Sequence, residues 1–368
     1  HVSDFGRTRS FDSTVVRVET GDGIVGYGEA KEEVGSEGNH KALTSLINDK
    51  FAPILIGEDP RDISRLWERM YNGARAHYAL DRGRVFPLLG RRGITISAIS
   101  GIDIALWDIL GKSLNTPVWR LLGGRCAERM PAYASGGWAD DSKIGDQQNS
   151  YIERGGFEAV KMRVGVMDGT VANSVKRVRA AREGIGPDVG LMCDAHGTYS
   201  VTEAKQFCRM VEGCDLMWFE EPVTGDDKRG CAEVRASTTV SIAAGESEFN
   251  RFDFKELDEL RAVDIFQPDL AICGGITEAM RISAIASAYN LRLAPHLWTG
   301  APAFAAGMHV AAAAPAGFIL EYSLGANPLL HDLVEESFPV KDGHVDIPER
   351  PGLGITIDED FVKQYTVS

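Results

Sequence analysis

The sequence has no CxxC pair, no His-rich metal-binding spacing, no basic run and no uninterrupted apolar stretch of transmembrane length. Each absence narrows the function. Six scattered cysteines without paired spacing fit reduced, buried thiols in a cytoplasmic protein. A net charge of −14, from 39 basic against 53 acidic residues, disfavours nucleic acid and anionic membranes as partners. The Ala-rich APAFAAGMHVAAAAPAG is broken by Pro and Gly before it reaches spanning length. No secretory leader is visible, and because the chain begins at His1 rather than Met its true start is expected upstream. A small anionic substrate stays open if the site that holds it is positive.

With 368 residues, 44% of them apolar and 25% charged, the chain is long enough for one large core and a smaller satellite. Its first part reads as α+β. STVVRVETGDGIVGYGEA alternates apolar and polar residues around a Gly-Asp-Gly turn, which predicts an antiparallel hairpin. KALTSLINDKFAPILIG, ISRLWERMYNGA and ISAISGIDIALWDILGK follow with helical spacing. Between the last two lies a Gly- and Arg-rich stretch without periodicity, a loop of the kind that covers ligands.

From about residue 130 the rhythm changes. Eight short apolar runs, PAYAS, EAVKMRV, VGLMCDA, DLMWFEEP, VSIAAGE, AVDIFQPD, LRLAPH and GFILEY, alternate with amphipathic helical segments. Seven of them end in a chemically active side chain: Lys161, Asp194, Glu220, Glu246, Asp269, His296 and Glu321. These recur about every 27 residues, the length of one strand, one helix and two turns, so the repeat predicts a closed βα barrel. An open doubly wound sheet is the competing architecture, but it leaves the polar strand ends unexplained, whereas a barrel gathers them at one mouth.

Three consecutive strand ends carry Asp194, Glu220 and Glu246, which would repel one another unless compensated. A divalent cation removes that cost, and hard oxygen ligands suit Mg2+ better than Zn2+. Any one of the three alone reads equally well as a helix cap or an arginine partner. A glycosidase pair of carboxylates would leave the third unexplained. Glu221 and Glu248 are assigned outward or supporting positions. His296 and Asp269 end neighbouring strands, so the carboxylate can orient the imidazole as a general base. His196, two residues beyond Asp194, faces the same mouth as a candidate general acid. Lys161 and Arg163, two apart on one strand, point the same way.

In its residues the chain resembles the enolase superfamily, and within it the mandelate racemase-like subgroup. The stretch from Ala98 to Gly124, the ordered set KMR, CDA, WFEEP, AGE, QPD, APH and LE, and the tail PERPGLGI carry the resemblance over almost the whole chain. It implies an α/β fold, a modified (β/α)7β TIM barrel with an α+β capping domain. The expected division is a cap over residues 1–126, a barrel over 127–325 and a segment over 326–368 that returns to the cap. It further implies one Mg2+ per site held by Asp194, Glu220 and Glu246, and removal of the proton α to a carboxylate to give an enediolate. Lys161 would contact the substrate carboxylate, and Glu321 would hydrogen-bond or protonate it.

One departure is informative. Members that move a proton between two faces commonly carry Lys-x-Lys on the second strand, but the second position here is Arg163, and a guanidinium stays protonated at ordinary pH. A single His base with His196 as the acid favours dehydration of an aldonic or aldaric acid, and DAHG is similar to the Asp-x-His of galactonate- and mannonate-type dehydratases. A sugar-acid lactone or anhydro-sugar-acid cycloisomerase, a racemase or epimerase, and a barrel that binds without turnover are the competing readings. Candidate substrate contacts are Tyr133 and Ser135 on the first barrel strand, and Arg7, Arg9, His77, Tyr78 and Arg82 from the cap. The expected assembly is a homo-oligomer.

Overall fold

The structure, a computed structural model, describes residues 2–3, 6–7, 12–32, 40–73 and 90–367. The eight apolar runs form eight parallel strands: Arg129–Ser135, Ala159–Arg163, Gly190–Asp194, Leu216–Glu220, Ile242–Ala244, Ile265–Phe266, Arg292–Leu293 and Leu320–Ser323. The first seven pair in chain order and the eighth returns to pair with the first. The remaining gap is closed at one point, the parallel bridge Leu293↔Gly317. Seven helices connect the strands: Ile144–Gly155, Val171–Ile185, Val201–Met210, Lys228–Ala236, Arg251–Glu259, Gly275–Ala288 and Ala301–Ala313.

A barrel interior must be filled by side chains that alternate inward along each strand. Here Tyr133, Ala159, Met192, Trp218, Ala243, Ile265, Ala294 and Ile319 form one buried cluster, one residue from each strand or its flank. Large and small residues alternate round much of the ring, so the bulky rings interlock: Tyr133 meets Trp218 edge-on at 5.2 Å. This cluster is the floor of the barrel, and Ser135, Lys161, Asp194, Glu220, His296 and Glu321, each two positions beyond a floor residue, lie above it.

The cap hairpin pairs Thr14–Glu19 with Val25–Ala30 in antiparallel register. It packs on the helix Ile94–Ser113. That helix is long and apolar enough to cross a bilayer, which corrects the expectation that no stretch is, but 78% of its apolar window is buried inside the protein. Its two acids are buried and satisfied. Asp103 accepts from Thr277 N–H and Oγ1 at 2.9 and 2.5 Å, and burial pushes its pKa up to about 7. Asp108 accepts from the N–H of Tyr27 at 3.0 Å, the N–H of Leu353 at 2.9 Å and Lys112 Nζ at 2.7 Å. One carboxylate thus ties hairpin, helix and C-terminal segment together. The same segment pairs His344–Asp346 antiparallel with the start of the first barrel strand.

The hairpin lies close against the helix because its contact face carries Gly26, Gly28 and Ala30. A Cβ on Gly28 would stand 1.9 Å from Gly101 O and 2.9 Å from Ala105 N, both backbone atoms that cannot swing aside. Overpacking of this kind costs roughly 1–3 kcal/mol, more where backbone must shift. Gly28→Ala is expected to lower the urea midpoint by at least that energy at an unchanged m-value; a midpoint equal to wild type would show that the contact yields.

Candidate active site

The polar ends of the strands converge above the floor. Lys161, Asp194, Glu220, His296 and Glu321 face inward because the floor residue two positions earlier does so, whereas Glu246 and Asp269 lie past the ends of their strands. Parallel register brings Arg163 beside Asp194 and Asp194 beside Glu220. Lys161 Nζ stands 2.5 Å from Glu220 Oε1, 3.0 Å from Glu321 Oε1 and 3.6 Å from Asp194 Oδ2, and it has no solvent exposure. Burial opposes its charge, but Glu220 and Glu321 more than offset this and raise its pKa. The Arg163 guanidinium rests on the Asp194 carboxylate and lies 5.8 Å from the Trp298 ring. Arg177, absent from the sequence reading, fixes this strand end by donating to the carbonyls of Arg163 and Gly137 at 2.8 and 3.1 Å.

On the opposite side, His296 Nδ1 meets Asp269 Oδ2 at 2.8 Å, and its Nε2 faces Glu246 Oε2 at 3.5 Å and Glu321 Oε2 at 3.8 Å. Burial would lower the His296 pKa, but Glu246, Glu321 and Asp269 together raise it. Asp269 is held low, against its burial, by Lys31 and His296. The dyad expected from neighbouring strand ends is therefore assembled.

Glu321 is held at both of its carboxylate oxygens. Its Oε1 accepts from Ser135 Oγ at 2.6 Å and its Oε2 from the N–H of Leu297 at 2.9 Å. Burial favours the protonated form, yet Lys161, His296 and Arg163 overcome it and hold the pKa below the ordinary range. Held by these donors, the carboxylate anchors Lys161. Ser135, in register with Lys161, stands in the mouth layer with its hydroxyl donated to Glu321, and Tyr133 belongs to the floor one layer below. Glu221 and Glu248 are buried rather than outward. Glu248 pairs with Lys228 Nζ at 2.9 Å, while burial beside Glu246, Glu220 and Glu248 raises the Glu221 pKa well above normal.

The donors suit a hard cation. Glu246 Oε2 is a buried acceptor without a hydrogen bond, and Asp194 Oδ2 is held by its ion pair with Arg163. Ligand atoms of Asp194, His196 and Glu246 lie within 4.8 Å of one another. Glu220 stands apart from this group, drawn to Lys161 Nζ and to Trp218 Nε1 at 2.9 Å. His196 Nε2 is 3.3 Å from Asp194 Oδ2, and its own N–H donates to Asp194 Oδ1 at 2.9 Å. Its φ of 45° and that of Glu221, 40°, are left-handed, a conformation costly for a side chain and common where a site imposes it. The turn is pinned by Gly197 N–H donating to Glu221 O at 2.8 Å. His77, Tyr78, Arg82 and Arg9 lie outside the described residues, and of Arg7 only the backbone, paired in a two-residue strand, is described.

Lys31 and Glu29 are additions that sequence reasoning missed. Lys31 Nζ reaches Asp269 Oδ2 and Trp298 O, each at 2.9 Å. A lysine just past a hairpin strand reads as solvated surface, and nothing in its spacing signals a buried partner.

Residues 5–123 match the mandelate racemase / muconate lactonizing enzyme N-terminal domain, and residues 143–361 the enolase C-terminal domain-like family. The D-galactarolactone cycloisomerase of Agrobacterium fabrum is 35% identical, covering 95% of this chain and 90% of that one. The arabinonate dehydratase of Saccharolobus solfataricus is also 35% identical, covering 95% and 89%. A racemase structure from Streptomyces coelicolor with bound magnesium superposes with a TM-score of 0.83 at 30% identity, covering 96% of this chain and 92% of that one. The chain belongs to the enolase superfamily, in its mandelate racemase-like subgroup.

Proposed function

We propose that the protein is a magnesium-dependent dehydratase of aldonic or aldaric acids, acting in the cytoplasm with residues 1–126 as cap, 127–325 as barrel and 326–368 as the returning segment. The observation that carries the reading is the buried His296–Asp269 dyad set across the barrel mouth from Lys161 and Arg163. One side offers a base and the other offers fixed positive charge. Five of the six cysteines are buried and all six are free thiols, which suits a reducing compartment.

The residues divide the work as follows. Lys161 and Arg163 bind the substrate carboxylate and lower the cost of the charge that develops on it when the α-proton leaves. His296, oriented through Nδ1 by Asp269, accepts that proton at Nε2. His196 gives a proton to the departing β-hydroxyl, so the C3–O bond breaks with release of water. The enol left behind takes a solvent proton at C3 and becomes a 2-keto-3-deoxy acid. Asp194, Glu220 and Glu246 would hold one magnesium ion, which supplies further positive charge at the carboxylate when bound. Arg163 cannot serve as a second base, so the proton is taken from one face only.

A cycloisomerase is the second reading, favoured by the Agrobacterium relative. It shares the α-proton step but expels a ring oxygen, so mass is conserved.

Screening aldonic and aldaric acids with Mg2+ is expected to yield a 2-keto acid 18 Da lighter than its substrate, carrying one deuterium at C3 when the reaction runs in D2O. A product of unchanged mass would replace dehydration by cycloisomerisation. His296→Asn is expected to lower kcat by at least about 10³-fold while calorimetric Mg2+ affinity stays within about twofold of wild type. Retained turnover in that variant would remove His296 from the base role.

His196 and Glu220 are separated by a second pair of variants. His196→Gln is expected to keep Mg2+ affinity and lose elimination, whereas Glu220→Gln is expected to weaken Mg2+ binding by about 10-fold or more. The reverse pattern would make His196 the ligand.

A further inference from the structure

Two charged residues of the cap strand have no part in the reaction proposed above. Gly26, Gly28 and Ala30 occupy the face packed on helix Ile94–Ser113, so alternation turns Glu29 and Lys31 toward the barrel. Both are buried. Glu29 accepts from the N–H of Gly300 at 2.8 Å and of Ala303 at 3.2 Å, capping the helix Ala301–Ala313. Ser13 Oγ fixes it by donating to Oε1 at 2.7 Å.

Lys31 grips the same segment from its other end. Its ammonium donates to Trp298 O, two residues beyond His296, and to Asp269 Oδ2, the oxygen that also meets His296 Nδ1. Its backbone N–H donates to Ala271 O at 3.3 Å, and the N–H of Ala271 donates to Asp269 Oδ1 at 2.8 Å. Among the described residues, the hydrogen bonds to the Asp269 carboxylate come from Lys31, His296 and Ala271. Residues 296–303, which carry the base, are clasped at one end by Lys31 and at the other by Glu29.

We propose that Lys31 is a positioning residue for the His296–Asp269 dyad, so that the cap supplies part of the machinery that takes the α-proton. The inference rests on the reading of His296 as the base. An Asp269 carboxylate bound to His296 alone is free to turn about its side-chain torsions. Lys31 removes that freedom, because one ammonium bonds both the carboxylate and the carbonyl next to the imidazole's own strand end. A buried ion pair also holds the cap strand down, since breaking it strands Asp269 in a low dielectric. Misplacing a reacting group by about 1 Å costs about 100-fold in rate.

The test compares Lys31→Met, Lys31→Arg and His296→Asn in the full chain. The assay acid is the one that turns over in the screen, and the second readout is the downfield imidazole N–H resonance of 15N-histidine-labelled protein. That resonance is assigned to His296 by its loss in His296→Asn. In Lys31→Met, kcat is expected to fall about 100-fold with KM within about twofold of wild type, and the resonance to disappear while the other histidine signals stay. Lys31→Arg is expected to restore the resonance and most of kcat. Should Lys31→Met not fold, Lys31→Gln, which keeps an N–H for Trp298 O, takes its place. A kcat within about twofold of wild type with the resonance intact would overturn the proposal. So would a loss of kcat that leaves the resonance in place. If wild type turns over none of the acids, the dehydratase reading fails on its own, and the resonance in the Lys31 variants still decides the positioning role.

Discussion

Charge balance in a closed space governs the mouth of this barrel. Asp194, Glu220, Glu246 and Glu321 approach one another where water has almost no access. Lys161, without solvent exposure, is the charge that makes the arrangement tolerable: three of these carboxylates lie within 3.6 Å of its ammonium. Arg163 compensates Asp194 from one side and His296 faces Glu246 and Glu321 from the other. A cation held by the same acids would share this load with Lys161, so ion affinity and lysine position are two expressions of one electrostatic balance.

The cap is coupled to that balance through packing rather than through a flexible tether. Glycines bring the hairpin against the long helix, Asp108 locks the hairpin to that helix and to the C-terminal segment, and the strand end then delivers Glu29 to the seventh βα unit and Lys31 to the sixth and seventh. Each contact depends on the one before it. A hairpin held further out by a single methyl group would bring neither charged residue to its partner.

Much of this was legible in the sequence because it obeys short-range rules. Strand period, near-regular spacing and a polar residue at each strand end led to the eight strands, and neighbouring strand ends led to the His296–Asp269 contact. What escaped depends on long-range placement. Lys31 and Asp269 are far apart in sequence, and only the folded hairpin joins them. Tyr133 and Ser135 share a face with Lys161, but period alone does not say which layer is floor and which is mouth. Glu321 reads as a possible acid, and nothing in its spacing signals the donors that hold it. The helix Ile94–Ser113 reads as helical from its spacing, but the partners that bury Asp103 and Asp108 lie far along the chain.

The floor of eight side chains has an electrical consequence. Its members are apolar apart from the tips of Tyr133 and Trp218, and they exclude the high-dielectric medium from the underside of Lys161 and Arg163. Field lines from those two cations are not drained downward into solvent. They end instead on the carboxylates of Asp194, Glu220 and Glu321 beside them, so the charges of the mouth act on one another through a low dielectric rather than through water. The barrel thus insulates its own charges, so that a change at any one of them is felt by all the others.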